Sequence, residues 1–98
     1  MSTYCFDLDE TLCTSNNLDY ENALPHSTRI LKVNKLFSEG HTILIYTARG
    51  SMTGIDWEAI TLRQLHVWGV QFHSLILGKP SADFYIDDKA INVNDFLW

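Results

Sequence analysis

The sequence predicts an α/β fold with a parallel sheet, because short apolar runs alternate with segments of helical spacing. Four runs have the length and the β-branched or aromatic composition of buried strands. They are residues 3–8, 41–48, 71–77 and 82–87. Helical patterns at 27–40 and 54–69 separate the first three runs. Such alternation favours parallel strands joined by right-handed crossovers, and the 98 residues are expected to form a single domain, 1–98.

The first run, TYCFDL, is followed by a segment that does not fit the alternation. Residues 11–26 are polar and rich in turn-forming residues, including Pro25. Such a composition favours a loop over a regular helix. We therefore expect a loop or a small flap directly after the first strand.

The two helical segments carry start and stop signals of their own. The segment 27–40 begins with Ser27 and Thr28, either of which can cap a helix, and it ends at Gly40. The segment 54–69 has apolar residues at helical spacing and ends at Gly69. After the fourth run, the tail 89–98 is long enough only for one further helical turn or a short edge strand.

Composition and charge exclude several classes of function. The 7 basic and 12 acidic residues give a net charge of −5, without a basic run, which argues against nucleic acid as the main partner. No apolar stretch approaches the ~20 residues of a membrane span, and no signal-peptide pattern begins the chain, so no membrane partner is expected. Cys5 and Cys13 are expected to be reduced thiols of a cytoplasmic protein. The four histidines lack the spacing of zinc ligands.

Each predicted strand ends in polar residues. These are Asp7 and Asp9 after the first strand, Thr47 after the second, Lys79 after the third, and Asp87 and Asp88 after the fourth. Because the carboxyl ends of parallel strands meet at one edge, four carboxylates are expected to lie close together there. Their repulsion is relieved by a divalent cation, and Mg²⁺ prefers such oxygen ligands. We expect Asp7 and Asp87 to bind it directly, Asp88 directly or through water, and Asp9 through its backbone carbonyl.

The same residues suit phosphoryl transfer. Asp7 is the expected nucleophile, which would form an aspartyl-phosphate, and Asp9 is the expected general acid and base. The Thr47 hydroxyl and nearby backbone N–H groups are expected to hold phosphate oxygens. Lys79 is expected to neutralise the charge of the phosphate and the nucleophile.

Substrate contacts are expected on the same rim. We assign Leu8 and Ala48, next to the catalytic residues, to substrate binding. The guanidinium of Arg49 suits a second anionic group on the substrate. Further candidate contacts are Asn16, Asp19, Tyr20 and His26.

The four strand-end motifs, FDLDETL, YTAR, GKP and YIDDKA, resemble those of the haloacid dehalogenase (HAD) superfamily of phosphatases and phosphotransferases. Asp7, Asp9, Thr11 and Leu12 match that family's first motif, hhhDxDx[TV][LV]. Glu10 stands where many of its phosphatases carry Gly. The resemblance implies a Rossmann-like three-layer α/β/α sandwich with strand order 3-2-1-4, a flap after the first strand and no cap domain.

A closer resemblance concerns the expected substrate. TARG, TGIDW, QLHVWGVQFHSLILGKP and YIDDKAIN are similar to small HAD proteins found with capsule and surface-polysaccharide biosynthesis. This implies a Mg²⁺-dependent phosphatase acting on a small sugar phosphate. Its uncapped site would be covered by the flap and loops alone or by a neighbouring subunit of a homo-oligomer. The alternatives are a phosphoprotein phosphatase, a non-catalytic HAD-derived binding module and a signalling receiver domain. The large aromatic residues are expected in the core or at a subunit interface: Trp57, Trp68, Phe96 and Trp98.

Overall fold

The computed structural model describes residues 1–16 and 19–98, and within them the chain has an α/β fold. The elements in chain order are β1 (Thr3–Asp7), β2 (Cys13–Asn16), β3 (Asp19–Pro25), α1 (Ser27–Ser38), β4 (Thr42–Tyr46), α2 (Glu58–Val67) and β5 (Ser74–Ile76). In these two ranges no helix has the length and hydropathy that a membrane crossing requires.

Three strands form a parallel sheet in the order β1-β4-β5. Cys5 of β1 lies opposite Leu44 of β4, and Leu44 lies opposite Ser74 of β5. The central strand is therefore the second predicted one, flanked by the first and the third. The predicted α/β class and parallel sheet are confirmed.

The fourth predicted strand, residues 82–87, does not form in the described part of the chain. Phe84 is 83% exposed and Ile86 is 97% exposed. The segment folds back on itself instead, because the Tyr85 hydroxyl donates to the Pro80 carbonyl and accepts a hydrogen bond from the backbone N–H of Ala82. The described sheet thus has three strands, and the expected order 3-2-1-4 is met only for its first three members.

Both helices end in the same glycine-dependent motif. Gly40 has φ +94° and Gly69 has φ +72°, in the left-handed region that glycine adopts without steric cost. After α1, the N–H of His41 reaches back to the carbonyl of Leu36, as in a Schellman motif. The predicted stop residues therefore end their helices for the expected reason.

The helix starts differ from the prediction. The residue before α1 is His26, which makes no side-chain capping bond, so neither Ser27 nor Thr28 serves as the cap. The second helix begins at Glu58 and not at residue 54. The Asp56 carboxylate accepts a hydrogen bond from the Glu58 N–H at 3.0 Å, which stabilises the turn before α2.

The segment after β1 forms an antiparallel hairpin of β2 and β3, which we call the flap hairpin. It lies within the predicted flap, residues 11–26, of which positions 17 and 18 are outside the described residues. Cys13 pairs with Pro25 at its base, next to the end of β1. The hairpin is thereby placed close to the strand-end residues.

The core lies between α1 and the sheet. The fully or almost fully buried apolar residues include Phe6, Ile30, Val33, Leu36, Ile43, Ile45 and Leu65. On β1, the tail covers Phe6 with the rings of Phe96 and Trp98, at centroid distances of 5.8 and 5.7 Å. Trp68 also packs against the core. Three of the four large aromatics therefore contribute to burial within one chain.

Two leucines of α1 allow a matched test of this core. Leu36 is 5% exposed, whereas Leu31 on the same helix is 69% exposed. We expect Leu36→Ala to lower the free energy of unfolding by about 2–5 kcal/mol, because it leaves a cavity. Leu31→Ala should change it by about 0.5 kcal/mol or less. Urea denaturation followed by circular dichroism measures both, and equal losses would contradict this placement of the core.

Candidate functional site

A small cavity of about 190 Å³ lies where the three parallel strands end. Its lining residues come from β1 and the turn after it, the flap hairpin, and the segments after β4 and β5. They are Asp7, Asp9, Tyr20, Ala48, Arg49, Lys79 and Tyr85. The carboxyl edge of a parallel sheet is where such folds bind ligands.

Asp7, the last residue of β1, has both carboxylate oxygens held in place. Lys79 Nζ donates to Oδ1 at 3.2 Å, and the Thr11 hydroxyl donates to Oδ2 at 3.1 Å. The Asp7 side chain nevertheless remains 37% exposed. A carboxylate that is oriented by two donors and still accessible is suited to attack an electrophile in the cavity.

The turn after Asp7 is held by one carbonyl. The Leu8 carbonyl accepts from the backbone N–H groups of Thr11, Leu12 and Cys13 at 2.8–3.3 Å. Glu10 sits within this turn at φ +66°, in the left-handed region that non-glycine residues rarely adopt. Glu10 therefore holds a backbone conformation that glycine would adopt without steric cost.

Asp9 forms a bidentate ion pair with Arg49. Arg49 Nε donates to Oδ2 and Nη2 donates to Oδ1, both at 2.9 Å, and the Arg49 side chain is fully buried. Nη1 donates to the Thr61 hydroxyl at 3.0 Å and to Gln64 Oε1 at 2.6 Å. A longer contact joins Nη2 to the Cys13 sulfur at 3.9 Å. All five N–H donors of the guanidinium thus face protein acceptors.

This arrangement changes the role expected for Arg49. A contact with a second anionic group on the substrate needs a free N–H donor, and the structure directs these donors to Asp9 and to α2. One face of the guanidinium is covered by the Tyr20 ring, whose centroid lies 4.8 Å from Cζ. Arg49 orients other site residues in this structure.

Thr47 lies beneath the cavity. It is 1% exposed, and its hydroxyl accepts a hydrogen bond from the Arg49 backbone N–H at 3.1 Å. Its backbone N–H donates to the Ile76 carbonyl, and its carbonyl accepts from the Lys79 N–H. Thr47 therefore joins the ends of β4 and β5, and its contact with a phosphate oxygen stays a prediction.

The structure brings together only part of the predicted site. Asp7, Asp9, Ala48, Arg49 and Lys79 line the cavity, together with the rim candidate Tyr20. The residues that do not line it are Leu8, Asn16, Asp19, His26, Thr47, Asp87 and Asp88. Leu8 is fully buried in the core, which leaves no side-chain surface for a ligand.

The expected four-carboxylate metal cluster is not assembled. Across residues 1–16 and 19–98, no three His, Cys, Asp or Glu side chains are grouped so that they could hold a metal ion. Asp87 and Asp88 are exposed, because the segment that precedes them is not paired with β1. The Lys89 N–H donates to Asp87 Oδ1, and this bond is the main reason why the pKa of Asp87 is lowered.

The residues that remain fit a smaller donor set. Mg²⁺ is usually held by one or two carboxylates, with waters and substrate phosphate oxygens as its other ligands. Asp7 supplies an accessible carboxylate in the cavity, whereas both oxygens of the Asp9 carboxylate accept from Arg49. That donor set fits a Mg²⁺ ion that arrives with a phosphate.

Three residues at this site were not anticipated. Thr61 and Gln64 lie one helical turn apart on α2 and share Arg49 as their partner. Tyr85 lines the cavity with its ring under Lys79 Nζ, at 4.5 Å. The only sequence signal for Thr61 and Gln64 was that both are polar residues within a helix whose buried face also carries Leu65.

Burial shifts the titration of two groups beside Asp9. It raises the pKa of the Cys13 thiol to about 12, and the neighbouring Asp9 charge acts in the same direction. Burial also raises the pKa of Tyr20, again with a contribution from Asp9. Both groups are therefore neutral near pH 7.

The chain is similar to a Vibrio cholerae protein whose crystal structure was solved as an MCSG target. The two share 31% sequence identity with a TM-score of 0.86, over 96% of this chain and 85% of the other. The chain belongs to the family of this Vibrio cholerae protein.

A chain in the structure of a Pnkp1/Rnl/Hen1 complex shares the fold. Its identity is 18% and its TM-score 0.63, and the match covers 89% of this chain but 30% of that one. Neither a protein-family model nor a curated protein matches the sequence. The similarity to the Vibrio cholerae protein shows the family, but the description of that structure names no activity.

The two thiols should differ in reactivity. Cys5 is exposed and partial desolvation raises its pKa, whereas Cys13 is buried and its pKa is raised to about 12. Because a raised pKa lowers the thiolate fraction, about one Cys13 thiol in ten thousand is ionised at pH 8. We expect iodoacetamide to modify Cys5 well before Cys13, as measured by peptide mass spectrometry. Urea-unfolded protein is the control, and faster labelling of Cys13 in the folded chain would contradict this environment.

Proposed function

We propose that this protein is a HAD-type, Mg²⁺-dependent phosphomonoester hydrolase that acts through an aspartyl-phosphate on Asp7. The observation that carries the proposal is the position of Asp7. It ends a parallel strand, opens into a cavity, and lies between Lys79 and the turn that carries Asp9. The strand-end motifs of the sequence support the same assignment.

In the first step, an Asp7 oxygen attacks phosphorus and the bond from phosphorus to the ester oxygen breaks. The leaving oxygen takes the electron pair and receives a proton from Asp9, which enters this step as the carboxylic acid and leaves it as the carboxylate. In the second step, water attacks the same phosphorus, gives its proton to Asp9, and displaces Asp7 from the phosphate. Lys79, 3.2 Å from Asp7, offsets the negative charge that gathers around the nucleophile.

Magnesium belongs to this proposal as a bound cofactor. Asp7 and the Asp9 backbone carbonyl would hold it, with Asp87 and Asp88 as further ligands in the four-stranded arrangement proposed next. When bound, it supplies positive charge for the phosphate oxygens. The accessible Asp7 carboxylate in the cavity supports this assignment.

We also propose that residues 82–87 pair with the open side of β1, giving the strand order 3-2-1-4; the three-layer α/β/α sandwich stays a prediction of the resemblance. Two observations support this. β1 is at the end of the described sheet, and the exposed Phe84 and Ile86 have no apolar cover there. Pairing would bury these side chains and would carry Asp87 and Asp88 toward Asp7.

The substrate class is proposed from the resemblance to small HAD proteins of polysaccharide biosynthesis, and the dimensions of the cavity are consistent with it. A volume of about 190 Å³ encloses a phosphate group and little more, so the attached group would lie outside, between Tyr20 and Tyr85. A small sugar phosphate of cytoplasmic polysaccharide or sugar-nucleotide biosynthesis fits this arrangement. A second copy of the chain would cover the remaining open side.

The nucleophile is tested by Asp7→Asn. We expect phosphate release from 4-nitrophenyl phosphate to fall by at least about a thousandfold, because the amide cannot form the covalent intermediate. The matched control is Asp95→Asn at an exposed position away from the cavity, which should retain wild-type activity. A panel of sugar phosphates and phosphopeptides then identifies the preferred class. Full activity of Asp7→Asn with Mg²⁺ present would refute the mechanism.

The fourth strand and the metal are tested together, without an activity assay. We expect Mg²⁺ to slow hydrogen–deuterium exchange of residues 82–88, because pairing with β1 protects their amides. Asp87→Asn combined with Asp88→Asn should abolish this effect, whereas Asp83→Asn should leave it unchanged. Exchange that is fast and insensitive to Mg²⁺ in the wild type would contradict the four-stranded arrangement.

A further inference from the structure

We propose that Gln64 is a positioning residue that ties the flap hairpin to Arg49 and thereby fixes the orientation of Asp9. This inference rests on the proposed phosphatase function. Gln64 lies on α2 and is separate from the strand-end motifs. It joins two parts of the site that are far apart in the sequence.

The carboxamide of Gln64 makes one bond in each direction. Its Oε1 accepts from Arg49 Nη1 at 2.6 Å, and its Nε2 donates to the Tyr20 carbonyl at 2.6 Å. The guanidinium can only donate and the carbonyl can only accept, so a flipped amide would lose both bonds. The chemistry of the two partners therefore determines the orientation of the amide.

Arg49 transmits this constraint to Asp9. The guanidinium is planar and fully buried, so the partners on one side determine how its other side faces the carboxylate. Thr61 and Gln64 hold Nη1, while Nε and Nη2 hold the two oxygens of Asp9. A general acid must present its proton in one direction, and a base oriented by a third group is a recurring arrangement in catalysis.

The same amide holds the flap hairpin over the cavity. Tyr20 belongs to β3, its ring covers Arg49, and its edge packs against Trp57 at a centroid distance of 5.1 Å. Without Gln64, the Tyr20 carbonyl loses its donor from α2 and a buried N–H of Arg49 loses its acceptor. Leaving such groups unsatisfied is costly, so both partners are expected to shift.

A catalytic effect of this kind depends on the leaving group. A 4-nitrophenolate leaves readily without protonation, whereas an alkoxide needs the proton of the general acid. Misplacing Asp9 should therefore slow an alkyl phosphate far more than 4-nitrophenyl phosphate. A loss of folded protein would lower both rates by the same factor.

The experiment compares Gln64→Leu with Gln71→Leu, a matched change at an exposed glutamine. We expect Gln64→Leu to lower kcat/KM, which reports the steps up to release of the leaving group, by about a hundredfold on glycerol phosphate and by about threefold or less on 4-nitrophenyl phosphate. Gln71→Leu should change neither rate. Should Gln64→Leu fail to fold, Gln64→Asn keeps an amide that is one methylene too short to bridge, and the same selective loss is expected.

The outcomes separate the two proposals. Equal losses on both esters, or no loss on either, would overturn the role of Gln64 while the wild type still hydrolyses phosphate esters. An inactive wild type would overturn the phosphatase function, and this inference with it. Hydrogen–deuterium exchange of residues 19–25 gives a readout independent of activity. It should be faster in Gln64→Leu than in Gln71→Leu, and unchanged exchange would overturn the tie to the flap hairpin.

Discussion

The ion pair between Asp9 and the buried Arg49 is the interaction on which the arrangement of the site depends. It joins the turn after β1 to the segment after β4, and Arg49 extends the connection to α2 and the flap hairpin. Removing Asp9 would leave the buried charge of Arg49 without its partner, a loss that costs up to about 3–5 kcal/mol in fully buried pairs. The intact pair need not stabilise the fold by that amount, since both charges give up their hydration. Its contribution is specificity: four separate segments are held in one relative position.

Charge balance at the strand ends differs from what the sequence alone suggests. From the sequence alone, four carboxylates are expected at this edge, and a divalent metal ion is the expected source of balancing positive charge. In the structure, Asp7 is paired with Lys79 and Asp9 with Arg49, so each carboxylate in the cavity already has a cation. Arg49 acts here as an internal counterion, although its position after a strand is equally compatible with binding a substrate anion. The distinction depends on which way its side chain turns, and Thr61 and Gln64 decide that direction.

The sequence predicts best where local signals decide the structure. The strands β1 and β4 are apolar runs with clear ends, and Gly40 and Gly69 end their helices through φ values that favour glycine. It predicts less well where distant partners decide. Residues 82–87 have a strand-like composition but fold back through Tyr85, and the pairing of Asp9 with Arg49 spans 40 positions. Asp7 and Lys79 line one cavity, as expected of residues that follow parallel strands. Spacing along the chain carries no comparable signal for the contact of Gln64 with Arg49.

Two features at the β1 side of the sheet complement each other. An open strand edge and exposed apolar side chains both favour further association, and Phe84 and Ile86 lie just before Asp87 and Asp88. In the proposed four-stranded arrangement, their burial would move two more carboxylates toward a cavity whose present charges are balanced. Four carboxylates against Lys79 and Arg49 leave two negative charges, which a divalent ion balances. Metal binding and completion of the sheet would therefore favour each other. Pairing of residues 82–87 would bring in carboxylates that bind the ion, and the ion would relieve the repulsion between those carboxylates.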